Sequence, residues 1–246
     1  MDLNKLKVNN VSFADYIKTN HDNQINLIVG KNGVGKTRLL EAIAEVVGYM
    51  PDKGIERVDL SSFDTEELTE LIHDWKNLSK KFPNARGHIF KLLRAAEPDF
   101  CDFSYGAYVD ELAVELGSQK ERVDIYDMSS GFKRVFEICV RAWACENGVL
   151  LIDDFELGLH HSIQTPLWEY IIKVAKERNN SVFATTHSGD AILGFAKTTS
   201  DSGAVRGLII RLGHSERQSD TGELITTTFN EKEFADLYHL GIDVRG

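Results

Sequence analysis

The sequence predicts an α/β fold: a mostly parallel sheet covered by helices, with an inserted helical lobe and a small antiparallel β portion. Three observations carry that expectation. Apolar, β-branched runs stand at Ile25–Val29, Val149–Ile152, Val182–Thr186 and Leu208–Leu212, and runs this continuous suit strands buried on both faces. Helical periodicity follows each of the first three; after the first, Leu39, Leu40, Ile43, Val46 and Val47 recur at the 3–4 spacing of one buried face. From about Pro51 to Lys120 strand signals nearly vanish and helical text takes over, as in DTEELTELIHDWKNLSKKF and RGHIFKLLRAAE. Strands alternating with helices make a covered parallel sheet. We therefore expect one domain over 1–246, its core formed by 1–50 and 121–246 and its helical lobe by 51–120. Near the end, LIIRL and LITTTF flank the polar loop HSERQSDTGE and should pair as a hairpin. Asn230 with Glu233 then forms a capping box for a last short helix.

Composition excludes several classes. Hydrophobic residues at 42% and charged residues at 27% are ordinary for a globular chain of 246 residues. The longest stretch of apolar residues and Gly is six long, Ala191–Ala196, far short of a membrane span. The start MDLNKLKVNN lacks the apolar core of a secretory signal, so a cytoplasmic address and no membrane partner are expected. Lys and Arg number 28 against 38 Asp and Glu, a net charge of −10, so any nucleic-acid contact must be a local patch. Cys101, Cys139 and Cys145 match no zinc spacing and read as reduced core residues.

The sharpest motif is GKNGVGKT, Gly30–Thr37, a full phosphate loop between a strand and a helix. Gly30, Gly33 and Gly35 let the backbone of Gly30, Lys31, Asn32, Gly33, Val34 and Gly35 turn its N–H groups toward a triphosphate. Lys36 reaches the β and γ phosphates and the Thr37 hydroxyl coordinates magnesium, which makes ATP and Mg2+ the expected ligands. VLLIDDFELGLH, Val149–His160, is a buried strand ending in two acids. Asp153 would hold the magnesium through water and Asp154 would orient or deprotonate the attacking water. Taken alone, this is also how many strands end in a polar turn. In DMSSGFKRVFEICV, Ser129 and Ser130 can cap a helix that buries Phe132, Val135, Ile138, Cys139, Ala142 and Trp143. By itself that is a cap and nothing more. In VFATTHSGD, His187 ends a strand, where a lone histidine is more often structural than catalytic.

The four motifs in this order resemble the heads of ABC-type ATPases, and most closely their SMC, RecF and OLD-like branch. Glu156, Gly158, Leu159 and His160 match that branch's Glu-x-Gly-Leu-His stretch after the Asp-Asp strand. The resemblance covers the chain outside about 51–120. It implies a head-to-tail homodimer with two ATP molecules between the subunits, and Ser129, Ser130 and Gly131 touching the γ-phosphate held by the partner. It also implies His187 as the histidine that senses that phosphate, and Phe155–His160 along the dimer seam. Asp154 stands where the family usually has Glu, which implies slow hydrolysis. There is no glutamine between Gln24 and Gln119, where transporter members couple to a membrane partner. A role in DNA metabolism or anti-phage defence with a separate effector protein follows from the resemblance. A nearly non-turning nucleotide sensor and a simple P-loop phosphotransferase remain as alternatives.

Two further readings lie outside the motifs. KNLSKKFPNARGHIFKLLR, residues 76–94, holds Lys76, Lys80, Lys81, Arg86, Lys91 and Arg94 with no acid. It is either a contact for nucleic acid or an acidic partner, or a solvated helix face. Phe13 and Tyr16, upstream of the phosphate loop, are the candidates for stacking on the base.

Overall fold

The computed structural model describes residues 1–8, 10–19, 24–50, 53–58, 65–106, 111–117, 121–202, 206–217, 221–230 and 233. In chain order the first elements are β1 (Lys7–Val8), β2 (Val11–Ser12), α1 (Phe13–Thr19), β3 (Gln24–Val29), α2 (Lys36–Gly48), β4 (Ile55–Val58), α3 (Thr65–Lys81) and α4 (Pro83–Ala96). There follow β5 (Phe100–Tyr105), β6 (Leu112–Leu116), β7 (Glu121–Asp124), a 3-10 turn (Ile125–Asp127) and α5 (Ser130–Ala144). The last are β8 (Val149–Ile152), α6 (His161–Arg178), β9 (Ser181–Thr186), α7 (Gly189–Ser202), β10 (Arg206–His214) and β11 (Leu224–Asn230).

The main sheet runs β11-β10-β3-β9-β8-β4. Its strands are parallel except β11, which returns antiparallel beside β10 as the hairpin signal requires. Period-2 alternation splits β3 between two cores. Ile25, Leu27 and Val29 face the larger one, which α3–α7 fill, and Ile28 faces the smaller one under α1 and α2. Parallel pairing aligns the carboxyl ends of β3, β8 and β9, which is where α/β sheets place ligands.

The segment 51–120 corrects the expectation that strands vanish there. It holds β4, which pairs parallel with β8 at the edge of the main sheet, and β5 and β6, which join β7 in a separate antiparallel sheet. Their sequences hid them. LAVEL is built of good helix formers, FCDFSY carries Asp and Ser, and IERV is a single turn's worth of text. Packing decides instead of propensity: Phe103 of β5 lies 5.2 Å from Trp75 of α3 and 5.1 Å from Phe136 of α5, ring centre to ring centre. Such aromatic pairs contribute ~0.5–1.5 kcal/mol each beyond their buried area. The cluster fixes α5 against the lobe.

At the far end, the Asn230 N–H donates to Glu233 and the Glu233 N–H donates to Asn230, the reciprocal bonds of a capping box. The rest of the helix expected after them lies outside the described residues. Cys139 and Cys145 are buried and Cys101 is half-buried, all as free thiols.

Candidate functional site

The site is assembled at the carboxyl ends of β3, β8 and β9. After Val29 the chain enters the phosphate loop. A Cβ on Gly30 would meet the Leu212 carbonyl oxygen of β10 at 2.6 Å, so only glycine lets the loop start here. Gly33 and Gly35 adopt φ of +77° and +104° and turn the chain into α2. The first turn of α2 contains no acid, which leaves its positive end bare for an anion. Lys36 is buried, and its ammonium donates to the carbonyls of Gly30 (2.9 Å) and Lys31 (3.2 Å). Lys31 and Asn32 are exposed, while Val34 packs on the smaller core.

Thr37 brings its hydroxyl to Asp153 Oδ2 at 2.8 Å. Asp153 is buried, and its other oxygen accepts from Thr185 Oγ1 on β9 at 2.5 Å. Thr185 in turn accepts the N–H of Asp154 at 2.8 Å. Three neighbouring elements thus set one carboxylate beside one hydroxyl. Magnesium takes oxygen ligands and is usually held by one or two carboxylates plus substrate phosphates. Thr37 and Asp153 fit that donor set. Among the described residues no cluster of three His, Cys, Asp or Glu side chains makes a self-sufficient metal cage, so the ion would need the phosphates.

Asp154 follows in a left-handed conformation, φ +43°, which Asp tolerates better than most residues. Its carboxyl is pushed above the usual aspartate range, first by burial and then by Asp153 and Glu156. Lys36 and His187 pull it back down in part. Its neighbours' charges therefore place Lys36, Asp153, Asp154, Glu156 and His187 in one electrostatic cluster. Glu156 is fully engaged: it accepts from Thr186 Oγ1 (2.6 Å), from the His187 N–H (2.9 Å) and faces His187 Nδ1 at 2.8 Å. The His187 ring, held this way, stays about half exposed.

The Ser-Ser-Gly stretch heads α5. Ser129 is the N-cap and accepts from the Phe132 N–H at 3.3 Å. Ser130 is exposed, and Gly131 crosses the loop after β8 so closely that a Cβ there would lie 2.6 Å from the Gly158 carbonyl oxygen. One turn into α5, the buried Arg134 donates to the carbonyls of Asp153 and, at 3.3 Å, Asp154. It lies 4.0 Å from the equally buried Glu137. Sequence reasoning missed Arg134 and Thr185. Arg134 had left a trace, a charge at helical spacing from Ile138 and Arg141, both of which are buried on α5.

One expectation needs correcting, and the basic segment is dispersed. Phe13 and Tyr16 are both in the smaller core, and the Tyr16 hydroxyl is held by Asn26 (2.6 Å) and Gln24 (2.7 Å), so neither ring is presented to a base. The basic segment is not one patch. Arg86 pairs with Asp102 at 2.6 Å, Arg94 donates to the carbonyls of Phe100 and Cys101, and Lys76 sits over the Tyr105 ring. Lys80, Lys81 and Lys91 stay exposed, spread over α3 and α4.

Residues 52–194 match the protein family described as "AAA domain, putative AbiEii toxin, Type IV TA system". The chain is 27% identical over 175 residues to the vitamin B12 import ATP-binding protein BtuD of Vibrio atlanticus (strain LGP32), covering 67% of this chain and 68% of that protein. Among solved structures, the archaeal ribosome recycling factor aABCE1 in complex with the stalk protein aP1 superposes with a TM-score of 0.53 at 13% identity over 90% of this chain. The RNase-L Inhibitor does so with 0.53 at 12% identity, also over 90%. This chain spans only 37% of the length of either, and at such identity the likeness is one of fold. Among the described residues no helix is long and apolar enough to cross a membrane.

Proposed function

This chain belongs to the AAA-domain family, a P-loop ATPase domain, and from that premise we propose that it binds Mg·ATP, dimerises head-to-tail around it and hydrolyses it slowly. The observation that carries the reading is the convergence of Lys36, Thr37, Asp153, Asp154 and the Glu156–His187 pair on one end of the sheet. The backbone of residues 30–35 and the bare start of α2 hold the phosphates, and Lys36 leaves the loop carbonyls for the β and γ oxygens. Thr37 and Asp153 hold the magnesium, whose charge offsets that of the transferring phosphoryl group. Asp154 positions the attacking water. Its raised proton affinity suits a general base, and its short side chain keeps turnover low. Glu156 orients His187 toward the γ-phosphate and is not itself the base, because both its oxygens are already engaged.

Ser130 and Gly131, packed on the Gly158 loop, complete the partner's site. Exposed Leu157 in that loop and exposed Tyr126 just before α5 give the same rim an apolar character suited to a seam. The family's Type IV TA description and the motif resemblance support service in DNA metabolism or anti-phage defence, through a separate effector. A second reading, a nucleotide-sensing platform that scarcely turns over, draws on the same short Asp154.

Sedimentation with Mg2+ and a slowly hydrolysed ATP analogue tests the proposal. The wild type should dimerise, Lys36→Ala should neither bind nucleotide nor dimerise, and Ser130→Arg should bind but stay monomeric. A wild type that binds nucleotide and remains monomeric sinks it.

A further inference from the structure

A cavity lies away from the phosphate loop, where the α3–α4 turn meets α5 and α6. Its volume is about 730 Å³ and its walls include Lys81, Phe82, His88, Trp143, Lys173 and Glu177. The size falls within the ~300–1,000 Å³ of small-ligand sites. Phe82 is 37% exposed although it is a large apolar ring, and it stacks on Trp143 at 4.8 Å. Arg178, anchored by Glu146 at 2.9 Å, lies 5.5 Å from both ring centres and stiffens the pair. Lys173 reaches across the cleft to within 3.4 Å of a ring nitrogen of His88, and Glu177 is 3.9 Å from Lys173. With Lys81 exposed on the rim, donors outnumber the one acid on a chain whose net charge is −10.

A partly exposed aromatic ring beside cationic donors is the combination that holds single-stranded nucleic acid: every base has a face to stack, and every linkage has a phosphate. An acidic peptide would use the donors but leave the ring without purpose. We propose that this cavity receives one nucleotide unit of a single strand, its base against Phe82 and its phosphate on Lys81, Lys173 and His88. The proposal gives the dispersed basic segment a specific seat and rests on the wider reading only for its purpose. Trp143 stands thirteen residues along α5 from Ser130, ~20 Å at 1.5 Å per residue, so the seat is at the opposite end of the Ser-Ser-Gly helix from the nucleotide rim.

The test is fluorescence anisotropy of a labelled oligo-dT on the full chain without ATP, so that failure of the ATP-dimer reading cannot mimic failure here. Phe82→Ala should weaken binding by roughly 5- to 100-fold. Lys173→Gln, a surface change that leaves the core intact, should lower the log–log salt slope by about 0.7. ATP affinity should be unchanged in both. No binding by the wild type, binding indifferent to both substitutions, or displacement of the oligonucleotide by an acidic peptide of lower charge would each overturn it.

Discussion

The crossing of Gly131 and Gly158 makes a sharp prediction for Gly131→Ala. The added Cβ would sit 2.6 Å from a backbone oxygen, whereas ordinary contact begins at 3.4 Å, so the loop after β8 must retreat by about 0.8 Å or α5 must tilt by as much. Neither can happen in isolation. Arg134 ties α5 to the carbonyls of Asp153 and Asp154, and Phe103 and Trp75 brace its other face. The displacement therefore reaches Asp154. A reacting group misplaced by ~1 Å can lose a factor on the order of 100 in rate. Alanine is meanwhile a better helix former than glycine by about 1 kcal/mol, and Gly131 is not in the left-handed region, so the variant should stay folded. Phosphate release under saturating Mg·ATP should fall roughly 30- to 100-fold, while ATP affinity, which the proposed function assigns to residues 30–37, should stay within about twofold. Turnover within twofold of the wild type would refute the reasoning. Gly158→Ala is the companion: its Cβ meets the rotatable Ser130 Oγ at 3.0 Å, but φ is +70°. It should lose ~1–2 kcal/mol of stability with a smaller effect on rate.

Asp154→Asn should reduce turnover by roughly 100-fold or more yet raise the melting temperature at neutral pH. Because burial and the neighbouring carboxylates raise its proton affinity in the folded state, Asp154 favours folding when protonated, and that contribution is lost as pH climbs through the raised value. The stability gap between variant and wild type should be near zero below about pH 4 and widen above it; a gap that shrinks with rising pH would contradict the cluster electrostatics. Asn accepts the positive φ equally well. Glu156→Gln replaces one acceptor by a donor among three donors and should cost about 1–3 kcal/mol locally. If Glu156 acts through His187, adding it to His187→Ala should change turnover little further. Additive losses would make Glu156 a base in its own right.

Much of this architecture was readable because it is periodic. Four apolar runs and a 3–4 pattern placed the parallel sheet and α2, and GKNGVGKT placed the turn between β3 and α2. What escaped was set by tertiary contact. LAVEL became β6 against its own propensity because Leu112 and Val114 are buried in the aromatic layer under α5. Phe13 and Tyr16 look available in a linear reading, but the fold closes α1 over them. Thr185 is an ordinary strand threonine until β8 and β9 align and its hydroxyl falls between Asp153 and Asp154. The Glu156–His187 pair joins residues 31 positions apart, a proximity no local pattern encodes.

The buried Arg134 has a consequence for timing. It bolts α5, the helix headed by Ser129–Gly131, to the turn that carries Asp153 and Asp154. In the proposed dimer, a change at one nucleotide is thereby felt as a strain at the other, and thermodynamic reciprocity makes the influence mutual. Two sites wired in this way do not fire as independent clocks. On the proposed function, the closed dimer would persist until both sites are ready, and the protein would report the joint occupancy of a pair instead of the ATP level seen by one.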